Sequence, residues 1–513
     1  MIQRAMGFAT YYSLMLFLVL LPLLAIAQTT NNGRIDVNAS LIAADNTSYW
    51  LSPSKEFAFG FHRPENEDRF LLSIWFEQIP EKTVVWWSYE KETEFSVLVE
   101  AGSKVVLTTS GLVLRDPQGE ERWRSVLNTG QVDYAVMEDT GNMVLVGPNS
   151  DQVLWRSFDN PSDTLLPTQE MGFQGQLFSR KKENDFSLGK FQLHLFDNGT
   201  LTINVINLPT RYIHGGPYYS SDDNNPNASN SGVGLIFDKS GDVYMLRKNG
   251  DKSPIGSGSK LPIQSSDYYQ RVTLDVDGVF AQYYYPKKSN GNWSTAWLQP
   301  INICSWTSPI GSGACGFNSI CSINDKTGRP NCECAPGFFL IDPNDPYGGC
   351  IRDDELNYCQ KDAFELETRK NINWPLADYE RYGVSYTEIE CKDSCRDDCM
   401  CVVAIYNADG SCFKKRLPLS NGRYGSDDRS VSFVKVRKGG RTSPSIPDDE
   451  VPNLDKDKKE RIFSVTGSIL LGTSVFVNLI RLFREIVPIY GGIPPLISLS
   501  QYGISCVNQT KSV

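Results

Sequence analysis

Cysteine is missing from the first 303 residues, and histidine is nearly missing from the whole chain of 513, which holds only His62, His194 and His214. No histidine is followed by Arg-Asp, and the sequence has no G-x-S-x-G elbow, no H-E-x-x-H helix and no Cys/His pair in a supporting context. The glycine-rich loop, phosphate-contacting Lys, H-R-D and D-F-G that carry protein phosphorylation are absent as well, so the chain is expected not to be an enzyme. An excess of positive charge is also lacking. With Lys+Arg 50 against Asp+Glu 60 and a net charge of -10, the chain has no footprint for nucleic acid. One G-x-G-x-x-G, at residues 311–316, lies among closely spaced cysteines with no helix pattern after it and is not a nucleotide site. No cofactor and no metal are expected, because the cysteine clusters have no histidine beside them.

Long apolar runs are scarce too, and only two occur. The first, residues 14–24 after Arg4, ends at Ala25-Ile26-Ala27 and reads as a signal peptide over residues 1–27, cleaved before Gln28; it is shorter than the about 20 apolar residues a bilayer requires. The second, residues 462–480, carries no charge between Arg461 and Arg481 and predicts one transmembrane helix. Together they predict a single-pass type I protein of the plasma membrane with its large region outside. Residues 438–461 read as a stalk, and residues 481–513, broken by Pro488, Pro494 and Pro495, as a short divergent cytoplasmic tail. That tail is expected to come from an alternative exon end, a frameshift or an error in the gene model.

Twelve of the thirteen cysteines lie between Cys304 and Cys412, and the thirteenth is Cys506 beyond the apolar run. An even number outside and one residue inside is the pattern that disulfide pairing in an oxidising compartment leaves. Sequons at Asn38, Asn46, Asn198, Asn227 and Asn292 all fall on the expected outer side and predict surface positions for N-glycans.

Between Gln28 and Pro300 no helical period is sustained, but a short unit recurs: an apolar pair, a polar turn with Gly, and another apolar pair. Its copies surround Ser110-Gly111, Asp139-Thr140-Gly141-Asn142, Asp197-Asn198-Gly199, Asp238-Lys239-Ser240-Gly241 and Asp277-Gly278, and each predicts a β-hairpin. Trp75, Trp86, Trp87, Trp123 and Trp155 are expected to fill the interior of a compact β barrel or prism, with stacking on sugars as the functional alternative for any one of them.

The stretches Glu56-Phe57-Ala58-Phe59-Gly60-Phe61, Phe70-Leu71-Leu72-Ser73-Ile74-Trp75-Phe76 and Trp155-Arg156-Ser157-Phe158-Asp159-Asn160-Pro161-Ser162-Asp163-Thr164-Leu165-Leu166-Pro167 resemble the bulb-type (G-type) lectin domain of the plant S-domain receptor-like serine/threonine kinases. Cys332-Glu333-Cys334 followed by Ala335-Pro336-Gly337-Phe338 resembles an EGF-like module, and Cys391, Cys395, Cys399 and Cys401, expected on a short helix and the strand after it, resemble a PAN/apple domain. The resemblance implies a mainly β architecture: a bulb-type lectin β-prism (28–155), a second lectin-like or S-locus-type β domain (156–300), an EGF-like module (301–351), a PAN/apple domain (359–437), and the stalk, helix and tail above. It implies disulfides Cys304–Cys321, Cys315–Cys332, Cys334–Cys350, Cys391–Cys412 and Cys395–Cys401, with Cys359–Cys399 as a third pair in the last module. It also implies truncation before the kinase domain that family members carry.

In the family's mannose sites a Q-x-D-x-N-x-V-x-Y strand reads sugar hydroxyls through paired donors and acceptors. The best copy here offers Met137, Asp139, Asn142, Val144 and Val146, with the Gln and Tyr positions apolar and an extra residue between Asp139 and Asn142. Asp139, Asn142 and Val144 are therefore the candidate carbohydrate residues, the alternative being that Asp139 and Asn142 cap a turn. The expected partners are an extracellular glycan or a protein or peptide ligand, the membrane, and related receptor kinases through dimerisation. The resulting picture is a recognition ectodomain acting as decoy or co-receptor, with a membrane-tethered lectin or a fragment of a full receptor kinase as the alternatives.

Overall fold

A computed structural model of the chain describes residues 32–439 except for 46–48, 91–94, 128, 150–151, 209, 214, 223–229, 257–264, 289–290, 353–358, 360, 377 and 427. The expected signal peptide, the expected stalk beyond Gly439, the apolar run, the expected tail, Cys506, and the sequons at Asn46 and Asn227 lie outside the described residues. Among the described residues, no helix is long and apolar enough to cross a membrane.

The first β unit is built from three antiparallel sheets. One orders Tyr49–Leu51, Phe57–His62, Phe70–Phe76 and Val84–Trp87, with Leu98–Val99 also pairing with Phe70–Phe76; a second orders Glu121–Arg124, Gly111–Arg115, Lys104–Thr108 and Ser40–Ile42; a third orders Arg34–Asp36, Tyr134–Met137, Met143–Val146 and Val153–Arg156. Alternation along the strands turns Phe59, Ile74, Leu107, Leu112, Leu114, Met137 and Leu145 into a common interior. Three tryptophans meet there, one from a terminal strand of each sheet. Trp86 and Trp123 are 5.9 Å apart, Trp86 and Trp155 5.9 Å, and Trp123 and Trp155 6.3 Å, all edge to face. Two of their polar edges find carbonyl partners: Trp86 Nε1 donates to Asn160 at 2.7 Å and Trp123 Nε1 to Tyr89 at 3.1 Å. Trp75 and Trp87 are also buried, but in a separate cluster on the outer side of the first sheet.

A second β unit repeats the plan with three four-stranded sheets. They order Thr164–Leu165, Tyr268–Leu274, Phe280–Pro286 and Ser294–Gln299; Glu170–Met171, Gly232–Phe237, Val243–Arg247 and Lys252–Pro254; and Gln176–Lys182, Asp185–Leu195, Leu201–Val205 and Tyr219–Ser220. Phe191, Phe237, Phe280 and Trp297 fill its core. All five Gly-containing repeats form the turns of antiparallel pairs. Phe186, from the hairpin of the third sheet, packs on the first unit, 5.1 Å from Trp87. Trp293 and Tyr269 pack on Phe76 from the other side, and Trp293 Nε1 donates to Thr83 Oγ1 at 2.9 Å.

Beyond residue 300, disulfides replace the large apolar core, as the cysteine spacing predicts. A hairpin of Ser319–Ile323 and Pro330–Cys334 extends into Arg423–Tyr424 and Ile372–Asn373, so one sheet is assembled from two cysteine-rich stretches that the sequence reading separates. Asp275 and Asp277 of the second unit grip this hairpin through Arg329, whose guanidinium donates to Asp277 at 3.0 and 3.1 Å and to Asp275 at 2.8 Å, with the Tyr283 hydroxyl beside it. A five-stranded sheet follows, ordered Phe364–Lys370, Val431–Arg437, Val403–Tyr406, Cys412–Lys415 and Asp378–Tyr382. Helix Glu388–Asp397 lies against it, started by a capping box in which Thr387 accepts from the Glu390 N–H and Glu390 accepts from the Thr387 N–H. Cys391 and Cys395, one turn apart, face the sheet. Cys399 and Cys401 sit in the turn between the helix and strand Val403–Tyr406, and not on that strand as expected, because Asp398 ends the helix and holds the turn through the Met400 N–H at 2.8 Å.

Candidate functional site

Asp139, Asn142 and Val144 come together on one hairpin, whose turn is closed by the Glu138 N–H donating to the Asn142 carbonyl at 2.9 Å. Gly141 has φ +87°, and a Cβ there would stand 2.5 Å from Leu166 Cδ1. The side chains point to different tasks. Asp139 is exposed, and its Oδ1 accepts from the Ser54 N–H at 2.7 Å. Asn142 is only 6% exposed; its Oδ1 accepts from Ser157 Oγ and the Phe158 N–H, both at 3.2 Å, and its Nδ2 donates to Glu138 at 3.3 Å. Val144 and Met137 are buried. The amide that would read a sugar is thus occupied by the protein's own backbone and Ser157.

A larger concavity, about 890 Å³, lies where the two β units meet. The loop after Phe57–His62 gives it Glu65, Asn66, Glu67 and Arg69; the approach to Leu98–Val99 gives Phe95 and Ser96; Glu121–Arg124 gives Glu121 and Arg122; and the hairpin of the second unit gives Asn184, Asp185 and Ser187. Glu67 is held by Arg69 through two bonds of 3.0 Å, and Glu121 by Arg124, one bond at 2.6 Å. Hydrogen bonds from those guanidiniums keep both carboxyls below the usual range. Asn184 Nδ2 donates to Glu65 at 2.9 Å across the junction, and Asp185 accepts from the Ser187 N–H at 3.0 Å. No sequence motif marks this cleft, since its residues are scattered between positions 64 and 187 and only the docking of Phe186 gathers them.

The cysteines join Cys304 to Cys321, Cys315 to Cys332, Cys334 to Cys350, Cys359 to Cys399, Cys391 to Cys412 and Cys395 to Cys401. Asn38, Asn198 and Asn292 are exposed, as a glycan acceptor must be. Among the described residues no three His, Cys, Asp or Glu side chains gather in a way that could hold a metal ion.

Two family profiles match: D-mannose binding lectin over residues 83–188, and S-locus glycoprotein domain over residues 250–341. The G-type lectin S-receptor-like serine/threonine-protein kinase LECRK2 of Oryza sativa subsp. indica is 37% identical over 490 residues, 91% of this chain and 59% of the rice protein. Along most of its length the chain is similar to G-type lectin S-receptor-like serine/threonine-protein kinases. RLK1 of Arabidopsis thaliana, another of these kinases, is 37% identical over 486 residues, 90% of this chain and 56% of that protein. The chain therefore spans less than two thirds of the length of these relatives. Among solved structures, the Japanese Marasmius oreades lectin aligns at 15% identity and a TM-score of 0.19, covering 27% of this chain and 91% of that one, too low a score to bear on the fold. The lectin match starts beside strand Val84–Trp87 and ends within Asp185–Leu195, and so takes in Glu121 and Arg122 on one wall of the cleft and Asn184 to Ser187 on the other.

Proposed function

We propose that the chain is the extracellular recognition region of a single-pass surface receptor, held by a membrane helix at residues 462–480 and reading a glycan or glycoprotein ligand with its two β units. The observation that carries this is the alignment with receptor-like kinases over 91% of the chain, joined to the lectin match from residue 83 through the rest of the first unit and into the start of the second. In this reading residues 301–351 are an EGF-like module and residues 359–437 a PAN/apple module. Both act as disulfide-braced spacers between the β units and the stalk, with N-glycans on Asn38, Asn46, Asn198, Asn227 and Asn292. The chain itself transfers no phosphate, and its output passes through a partner, such as a related receptor kinase with which it dimerises. Glycan-array binding by the purified chain tests the recognition role: retention of at least one oligosaccharide class is expected, and silence across the array would count against it.

A second reading is favoured by the 59% coverage of the relatives: the gene product continues into a kinase, and this chain is its outer part. Full-length transcripts read across the codon for Ile480 decide this. Continuation into a frame encoding H-R-D and D-F-G is expected for the second reading, and transcripts that all end after Val513 exclude it.

A further inference from the structure

We infer that the oligosaccharide site of this chain is the cleft between the two β units, centred on Glu65, Asn66, Phe95, Arg122 and Asp185, and not the turn that carries Asp139 and Asn142. The inference rests on the lectin reading and gives it a different address. At the turn, the Asn142 amide is buried and bonded on both ends within the protein, so a sugar hydroxyl would have to displace Ser157 and the Phe158 N–H. At the cleft, about 890 Å³ is open, toward the upper end of the roughly 300–1,000 Å³ typical of ligand pockets.

The lining decides the class of ligand. Five carboxylates face the space, but Glu67 and Glu121 are already matched by Arg69 and Arg124, which removes much of the pull on a cation. The other three are Glu65, Glu90 and Asp185; Glu65 accepts one bond from Asn184 and Asp185 accepts through one oxygen from Ser187, so both keep acceptor capacity beside the donors of Asn66 and Arg122. Hydroxyls that each donate and accept fit such a mixture better than an ammonium, which only donates. Phe95, 55% exposed at the rim, offers a ring face to the C–H side of a sugar. Both β units must contribute, because Asp185 belongs to the second and the other four residues to the first. The site is therefore a property of the docked pair.

The test uses the full chain in detergent and an array of mannan-, xylan- and chitin-derived oligosaccharides, with a short oligolysine peptide as the charged control. For whichever glycan the wild type retains, Phe95→Ala and Arg122→Ala are expected to weaken binding about tenfold or more each, while Asp139→Ala leaves it unchanged. Thermal unfolding of the two exposed-residue variants at the wild-type midpoint separates lost contact from lost fold. Loss of binding in Asp139→Ala alone, or full affinity in both cleft variants, overturns the placement while the lectin reading stands. Retention of oligolysine with no glycan bound at 0.15 M salt overturns both.

Discussion

Asp277 shows how far one carboxylate's surroundings can move its chemistry. It is 6% exposed, and burial pushes its carboxyl up to about 6 although Arg329 pulls the other way. The unfolded chain releases that proton near 3.9. The folded protein holds the proton more tightly, so the stability this group contributes is complete below about pH 4 and is lost as the pH rises through about 6. Asp277→Asn is expected to flatten the stability profile between pH 4 and 7, where the wild type loses on the order of 1–3 kcal/mol through this group. Urea unfolding at several pH values measures it, and parallel profiles for the two proteins would contradict it. Gly141 carries a simpler expectation. A methyl at that position meets Leu166 and Phe57 at a positive φ, so Gly141→Ala should cost about 1–3 kcal/mol in chemical denaturation; a change under about 0.5 kcal/mol would remove the claim of close packing. The turn itself was legible, because Asp-Thr-Gly-Asn between apolar pairs is local information. That Leu166 closes over it, and that Ser54 bonds Asp139, was not, since both contacts come from distant parts of the chain.

At the level of elements, hairpins were the most readable feature, each fixed by its own turn and alternating side chains. The meeting of Trp86, Trp123 and Trp155 was foreseen as burial and not as geometry, because each indole belongs to a different sheet and only the closure of three sheets brings them together. The helix Glu388–Asp397 was visible through its cysteine spacing, yet its end at Asp397 was set by Asp398 turning the chain, a contact that spacing does not encode. Thr387→Ala removes the hydroxyl that accepts from the Glu390 N–H, leaving the backbone N–H of residue 387 to donate to Glu390, and is expected to lower stability by about 1 kcal/mol in guanidinium unfolding with the disulfides intact. An unchanged midpoint would mean that the Cys391 and Cys395 bridges hold the helix without its cap. Replacing Cys391 and Cys412 together by Ala releases a loop with a sequence separation of 21 and should cost about 3 kcal/mol, read in the same unfolding experiment.

For the whole molecule, the two β units could be counted from the sequence, but nothing in it said how they dock. Phe186 is the side chain through which the second unit reaches Trp87 and the outer cluster of the first. Phe186→Ala is expected to cost about 3 kcal/mol and to speed hydrogen exchange in strands Phe70–Phe76 and Val84–Trp87, while the Trp86, Trp123 and Trp155 interior keeps its protection. Equal exchange in wild type and variant would show that Trp293 and Tyr269 suffice to hold the units together.

Strand Val431–Arg437 lies between Phe364–Lys370 and Val403–Tyr406, hydrogen-bonded on both flanks. Any pull on the chain beyond Arg437 therefore enters the described region through an inner strand, where release requires two ladders to slide at once instead of one edge to peel. One of those flanking strands, Val403–Tyr406, pairs in turn with Cys412–Lys415, which the Cys391–Cys412 disulfide ties to the helix, so force entering the inner strand is shared with a covalently braced part of the sheet.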